Sequence, residues 1–337
     1  MQTQQAPTTQ MFQMITGFWT SCCIYVAAQL NIPDLLAEKP KTALQLSVET
    51  KTHASSLYRL LRTLSSVGVF YENEKSEFEL TPLGNTLRAD VPGSLKFHAI
   101  MNLRYHYSAW GNLLEAVKTG ETAFDNLHKM SAWEYYEKDK EGSENFNKAM
   151  SGVTQMVIPH ILAAYDFTQF KSIVDVGGGN GALLCAILKK SEKSMGVVFD
   201  MAHAKQQALA NIKLNNLQER CAFEEGSFFE HLPEGASAYM TKSVLHDWDD
   251  EQSKKILSKV REAMPQGSKL LLIENVIPAR NIPHPAKLMD MNMLVMTGGR
   301  GRTASDWQEL VEDAGLAFSK IIPLQSPMYS IIEAEKK

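Results

Sequence analysis

Apolar positions follow two different rhythms along the 337-residue chain. From residue 171 onward, short apolar runs alternate with amphipathic stretches. Ile173, Val174 and Val176, then Gly196–Asp200, Cys221–Glu225, Ala238–Val244 and Lys269–Glu274, read as buried strands. Between them, Ala182–Leu188, Ala202–Asn215, Asp250–Ala263 and Ser305–Ala314 carry helical spacing. Two last strands near 316–322 and 328–334, joined by a short loop around Ser326-Pro327, should be antiparallel neighbours. Alternation of this kind predicts an α/β fold with a doubly wound, Rossmann-like sheet.

Upstream the rhythm is helical. Residues 11–30 form a stretch apolar on most sides, which needs burial all round, either within its own domain or against a second subunit. Thr42 can cap a helix over Ala43–Glu49, and Leu57, Leu60, Leu61 and Leu64 share one face of a helix over Ala54–Ser66. Val67–Tyr71 and Glu77–Leu80 then flank a polar turn, as in a hairpin. Two helices and a hairpin make a winged-helix pattern, a shape often used on DNA. Arg59 and Arg62 would suit that use, but Glu72, Glu74, Glu77 and Glu79 on the hairpin oppose phosphate, so the unit reads as a scaffold. Residues 95–165 look helical throughout, with aromatic and methionine side chains for core packing or for an apolar pocket. The predicted domains are 1–100, helical and dimerising, and 101–337, a helical segment followed by the α/β domain.

Composition narrows the picture little. A formal net charge of −4 gives no basic footprint for nucleic acid. Cys22, Cys23, Cys185 and Cys221 form neither a metal nor a disulfide framework, so free thiols in a reducing compartment are expected. The polar start, Met1 to Gln10, lacks the features of a signal peptide. No apolar stretch of about 18 residues is expected to span a membrane. The chain is expected in the cytoplasm, without a nucleic-acid or membrane partner.

Chemistry gathers first at Val174-Asp-Val-Gly-Gly-Gly-Asn-Gly-Ala182, a strand, a glycine turn and a helix start. Gly177, Gly179 and Ala182 satisfy a dinucleotide pattern, and Asp200 stands at the distance of a ribose contact. Asp175 argues otherwise. A carboxylate two residues before the turn disfavours a pyrophosphate but favours the ammonium or sulfonium of S-adenosylmethionine (SAM), which also carries a ribose. A glycine turn without a ligand is the plain alternative, and SAM is the preferred reading.

A second cluster follows the strand at 238–244. His246 in Leu245-His-Asp-Trp-Asp-Asp-Glu251 falls on the same carboxyl rim as the glycine turn, where α/β sheets bind ligands. Histidine can take a proton from a hydroxyl near neutral pH, although simple exposure in a loop is the bland reading. Asp247 and Glu274 are both candidates to orient it. His203, His231 and His284 lack ligand partners at metal spacing, so no catalytic metal is expected.

These stretches, with Phe199-Asp200, Gly226-Ser-Phe-Phe229, Lys242-Ser-Val-Leu-His-Asp-Trp248 and Gly298-Gly-Arg-Gly-Arg-Thr303, resemble the SAM-dependent small-molecule O-methyltransferases. Trp110-x-x-Leu-x-x-Ala-Val-x-Thr-Gly120 and Phe146-Asn-Lys-Ala-Met150 extend the resemblance over nearly the whole chain. The resemblance implies a homodimer formed by the N-terminal domain. It also implies cofactor contacts from Asp175, Gly177, Gly179, Asp200, Gly226, Ser227, Phe228 and Lys242. His246 takes the place of the family's general base, supported by Asp247 and Glu274. Phe146, Met150, Trp248 and Met293 take the substrate side.

Two positions depart from the plant members of that family. Ser227 stands where they have Asp, and Gly301 where they have a Glu that flanks the base. The second change should remove one orienting carboxylate and enlarge the pocket. The reading is methyl transfer to a hydroxyl, expected to be phenolic, of an aromatic or polyketide-like molecule. The alternatives are a relative with another reaction or none, an N-methyltransferase, and a SAM-responsive DNA regulator.

Overall fold

A computed structural model describes residues 6–326 and 328–336. Met1–Gln5, half of the polar start, and Pro327, in the loop expected before the last strand, lie outside the described residues. The chain divides into two compact units, residues 1–108 with 139–153, and 109–138 with 154–337.

In the first unit, Pro7–Gln29 is one 23-residue helix. It contains no charged residue, and an 18-residue stretch of it has a mean hydropathy of 1.3, long and apolar enough to cross a membrane by length and composition alone. The expectation that no such stretch exists is therefore corrected: serine, threonine and glutamine interrupt the apolar positions without adding a charge. Ala27 and Ala28 are buried, whereas Phe12, Ile15 and Trp19 stand exposed.

The helices Ala43–Thr50 and Ala54–Ser66 form where the periodicity placed them. Thr42 and Gln45 close a capping box on the first. Leu46, Leu57, Leu61 and Leu64 meet Phe70 and Phe78 in one core. Strands β1 (Lys41–Thr42), β2 (Phe70–Glu72) and β3 (Glu77–Leu80) make an antiparallel sheet in the order β1-β3-β2. The Asn73 carboxamide oxygen accepts the N–H groups of Lys75 and Glu77 and so closes the hairpin turn.

Residues 95–165 are helical in pieces. A π-helical turn, Met101–His106, interrupts the first stretch, and left-handed residues at Gly120 and Lys129 end two short helices.

The second unit holds β4 (Ser172–Val176), β5 (Met195–Asp200), β6 (Cys221–Glu225), β7 (Ala238–Lys242), β8 (Lys269–Glu274), β11 (Ala317–Pro323) and β12 (Ser330–Glu335). They form one sheet in the order β11-β12-β8-β7-β4-β5-β6. The strands from β8 to β6 are parallel, and β12 runs antiparallel to both β8 and β11. From β4 the chain proceeds through β5 and β6 to one side and then returns to β7 and β8 on the other. The carboxyl ends of β4 and β7 therefore face the switch point, where α/β sheets take their ligands. A short parallel pair, β9 (Val276–Ile277) with β10 (Arg302–Thr303), and the helix Ala286–Met296 complete that rim.

Candidate active site

The glycine turn after β4 is held from β5. Gly177 and Gly178 donate to the Phe199 carbonyl, and the Asp200 carboxylate accepts the Gly179 N–H at 2.8 Å and the Met201 N–H at 2.7 Å. Gly177, Gly179 and Gly181 all have positive φ, which glycine alone adopts freely. At Gly179 a Cβ would meet nothing within 4 Å, so the turn leaves open space there. Asp200 thus ties the turn together as well as standing where a ribose contact was expected.

Asp175 lies buried beneath the turn, 2% exposed. Burial and the repulsion of Asp200 push its pKa up, to about 7, against the pull of the Lys242 ammonium. Burial also raises Asp200. Two carboxylates crowded this way favour a positively charged ligand between them and the glycine turn.

The far wall is aromatic. Phe228 approaches the position where a Cβ on Gly177 would sit, at 3.8 Å, beside Val244. Phe229 packs edge-on against Trp248 at 4.9 Å, and Trp133 stacks on Trp248 at 6.5 Å. Gly226 fits because a Cβ there would lie 2.6 Å from the Phe199 ring. The Ser227 hydroxyl accepts the Phe229 N–H at 3.3 Å and starts a turn.

The histidine belongs to a 3₁₀ turn, Leu245–Asp247, that follows β7. β7 ends two residues before the alternation suggested, because Ser243 takes a left-handed backbone with φ of 55°. That kink presents the N–H groups of Val244 and Leu245 to one oxygen of Glu274, at 2.9 and 3.0 Å. The other oxygen stands 2.6 Å from His246 Nδ1. Asp247 Oδ1 lies 3.7 Å from His246 Nε2. Glu274, not Asp247, makes the close contact to the ring.

Burial disfavours the charged imidazole, but Glu274 and Asp247 outweigh it and hold its pKa up, to about 9. Burial likewise works to raise Glu274, yet His246 and the two N–H groups hold it below the usual carboxylate range. Burial lifts Asp247, to about 6, against the pull of His246.

Arg302, Gly299 and the helix that carries Met293 lie against this turn. Arg302, 1% exposed, donates to the Leu245 and Trp248 carbonyls at 2.9 and 3.1 Å, and also to Ser253 and Asp250. Gly299 is obligatory, since a Cβ there would lie 2.1 Å from the His246 carbonyl oxygen. Met293 is buried in the helix Ala286–Met296, which packs against the same turn.

At Gly301 the expected enlargement is absent. A Cβ would meet Ile277 at 2.7 Å and Asp290 at 2.9 Å, and the Gly301 N–H donates to the Asp290 carboxylate at 2.7 Å. Neighbours fill the space a side chain would take. Phe146 and Met150, four residues apart on the helix Lys140–Ala164, lie in the first unit.

Residues 110–317 match the O-methyltransferase domain family, and residues 12–90 the O-methyltransferase dimerisation domain. The chain belongs to the O-methyltransferase family. It is 40% identical over 324 residues to the phenazine O-methyltransferase PhzM of Lysobacter antibioticus, covering 96% of this chain and 95% of that protein. The crystal structure of LaPhzM superposes with a TM-score of 0.95 at 39% identity, over 99% of this chain and 100% of that one. NcsB1, an O-methyltransferase from neocarzinostatin biosynthesis, was solved with S-adenosyl-L-homocysteine (SAH) and 1,4-dihydroxy-2-naphthoic acid. It gives a TM-score of 0.80 at 33% identity, covering 94% and 96% of the two chains.

Proposed function

We propose that this O-methyltransferase moves the methyl group of SAM to a phenolic hydroxyl of an aromatic or polyketide-like molecule, with His246 as general base. One observation carries the reading. His246 is buried on the switch-point rim with Nδ1 bonded to an ionised Glu274, which fixes the tautomer that leaves Nε2 as the proton acceptor.

The residues fit the cofactor. Asp175 supplies negative charge for its cationic end, and Gly177 and Gly179 leave room for close approach. Gly226, Ser227 and Phe228 form the adenine side with Asp200 at the ribose, and Lys242 reaches the same site from β7. When bound, SAM supplies an electrophilic methyl on a sulfonium. The protein aligns the acceptor oxygen, keeps water away with Trp248 and Met293, and gives the departing proton a place on Nε2. Asp247 then faces the imidazolium, which Glu274 stabilises from the other side. The relatives' phenazine and naphthoic acid support an aromatic acceptor.

The exposed face of Pro7–Gln29, most of which falls in the matched dimerisation domain, supports a homodimer. Free thiols at all four cysteines suit a cytoplasmic protein.

Calorimetric titration with SAM and SAH tests the donor site, and a panel of phenols and naphthols with labelled SAM tests the acceptor. His246→Ala should lower turnover about 10²–10⁴-fold while SAH affinity stays within about twofold. Loss of SAH binding in that variant, or unchanged turnover, would sink the assignment of the base.

A further inference from the structure

Tyr329 comes from the far side of the sheet and ends among residues of the donor site. It directly precedes β12, whose first residue, Ser330, pairs with Glu274 at the end of β8. Because β12 is antiparallel, its start lies on the rim where the parallel strands end. The ring is 7% exposed and lies under the Lys242 ammonium, with Nζ 5.0 Å from the ring centroid. Lys242 also donates to the Ser243 hydroxyl at 3.2 Å, and that hydroxyl donates to the Tyr329 phenol at 3.1 Å. One side chain therefore holds the lysine twice, through its π face and through a hydroxyl relay.

We propose that Tyr329 is a positioning residue for the donor site, fixing the Lys242 ammonium on the cofactor through its ring and through Ser243. The inference rests on the reading of Lys242 as a cofactor contact. Lysine has four rotatable bonds and a strongly hydrated head, so an unrestrained ammonium at the rim turns toward water. A ring face removes that freedom without neutralising the charge, which a carboxylate in the same place would do. Ser243 is a fitting intermediary because its left-handed backbone turns the chain from Lys242 toward His246.

The test is a calorimetric cycle with SAH as the probe, using wild type, Tyr329→Phe, Tyr329→Leu, Lys242→Met and the Lys242→Met/Tyr329→Leu double variant. Tyr329→Phe keeps the ring but cuts the relay through Ser243, and should bind about two- to threefold more weakly than wild type, between it and Tyr329→Leu. Tyr329→Leu should bind about 5- to 10-fold more weakly, in the range of a partly desolvated cation–π contact. The double variant should bind no more weakly than Lys242→Met alone, because both changes remove the same interaction.

If wild type does not bind SAH, the donor-site reading fails and takes this proposal with it. If wild type binds and Lys242→Met is unaffected, Lys242 has no cofactor role and the proposal is overturned. If Lys242→Met weakens binding but Tyr329→Leu does not, or the two losses add in full, the role of Tyr329 alone is overturned. Should Tyr329→Leu melt at the assay temperature, Tyr329→Met keeps apolar volume without a ring face and carries the same expectations.

Discussion

Glu274 divides its two carboxylate oxygens between the backbone and a histidine: one accepts the N–H groups of Val244 and Leu245, and the other holds His246 Nδ1 at 2.6 Å. The same residue thus shapes the turn and sets the basicity of the ring it presents. With His246 as the proposed base, its neutral form takes the proton, so a pKa held up to about 9 should make turnover rise with pH through neutrality and level off near that value. Glu274→Gln keeps the shape and removes the charge. Asp247 is then left to oppose burial alone, the limb of the pH–rate profile should move toward acid, and the plateau should fall about 10- to 100-fold. An unmoved limb in the pH dependence of kcat would show that Glu274 does not tune the base.

Linkage gives this pair a second signature. A histidine raised above its unfolded value of about 6.5 contributes stability that is fully present below that pH and is lost as the pH rises through about 9. Urea denaturation of wild type between pH 6 and 9.5 should therefore show a decline that His246→Gln flattens.

Much of this fold is legible in the chain. The seven sheet strands, the helices Ala54–Ser66 and Asp250–Ala263, and the placing of His246 on the glycine rim follow from period and punctuation. What escapes is of another kind. Arg302 looks like a surface cation, and only tertiary packing shows it buried against the carbonyls of Leu245 and Trp248. Tyr329 lies 86 residues from Ser243, a contact made by the antiparallel return of β12. The kink at Ser243 had no glycine to announce it. Position 301 misled because loss of a side chain was equated with space, whereas Asp290 and Ile277 close in around it.

Arg302 supplies a sharper stability prediction. Its guanidinium satisfies two carbonyls of the histidine turn, and an unsatisfied buried acceptor costs about 1–3 kcal/mol. Arg302→Met should destabilise the protein by about 3 kcal/mol and lower turnover through a loosened turn, as measured by chemical denaturation and steady-state kinetics. A stability loss under about 0.5 kcal/mol, in the range of ordinary surface changes, would mean the carbonyls find water instead.

With Asp175 at the proposed donor site, SAM binding should release protons. Its pKa near 7 leaves the free protein partly protonated at neutral pH, and a cationic ligand favours the ionised form. Titrating SAM at pH 6.5 in buffers of different ionisation enthalpy should show release of about half a proton or more, absent in Asp175→Asn. That variant should also bind SAM at least about tenfold more weakly. Proton uptake on binding would contradict the placement of the cationic end.

The helix Pro7–Gln29 leaves Phe12, Ile15 and Trp19 more than half exposed, at 62%, 64% and 57%. An uncharged face of this size on a single chain calls for a cover. Light scattering should find a dimer, and Ile15→Glu with Trp19→Glu should yield monomer with the α/β domain still folded. A monomeric wild type would leave the face for some other surface.

Gly299 and Gly301 sit two residues apart and predict unequal tolerance. At 299 an added methyl meets the His246 carbonyl at 2.1 Å and the Asp247 backbone at 2.4 Å, atoms that cannot yield without moving the base. At 301 the contacts are side-chain atoms, the tip of Ile277 at 2.7 Å and the Asp290 Cβ at 2.9 Å, so a methyl there presses on Ile277 and Asp290 rather than on the histidine turn. Gly299→Ala should therefore reduce kcat by at least about tenfold, because displacement of an aligned group by a fraction of an ångström is enough for such a loss. Its SAH affinity should stay within about twofold, since the glycine turn and Lys242 are untouched. Gly301→Ala should lose less activity than Gly299→Ala, because its strain falls on Ile277 and Asp290. Equal losses in the two variants would show that the glycines act through loop flexibility rather than through contact with the turn that carries His246.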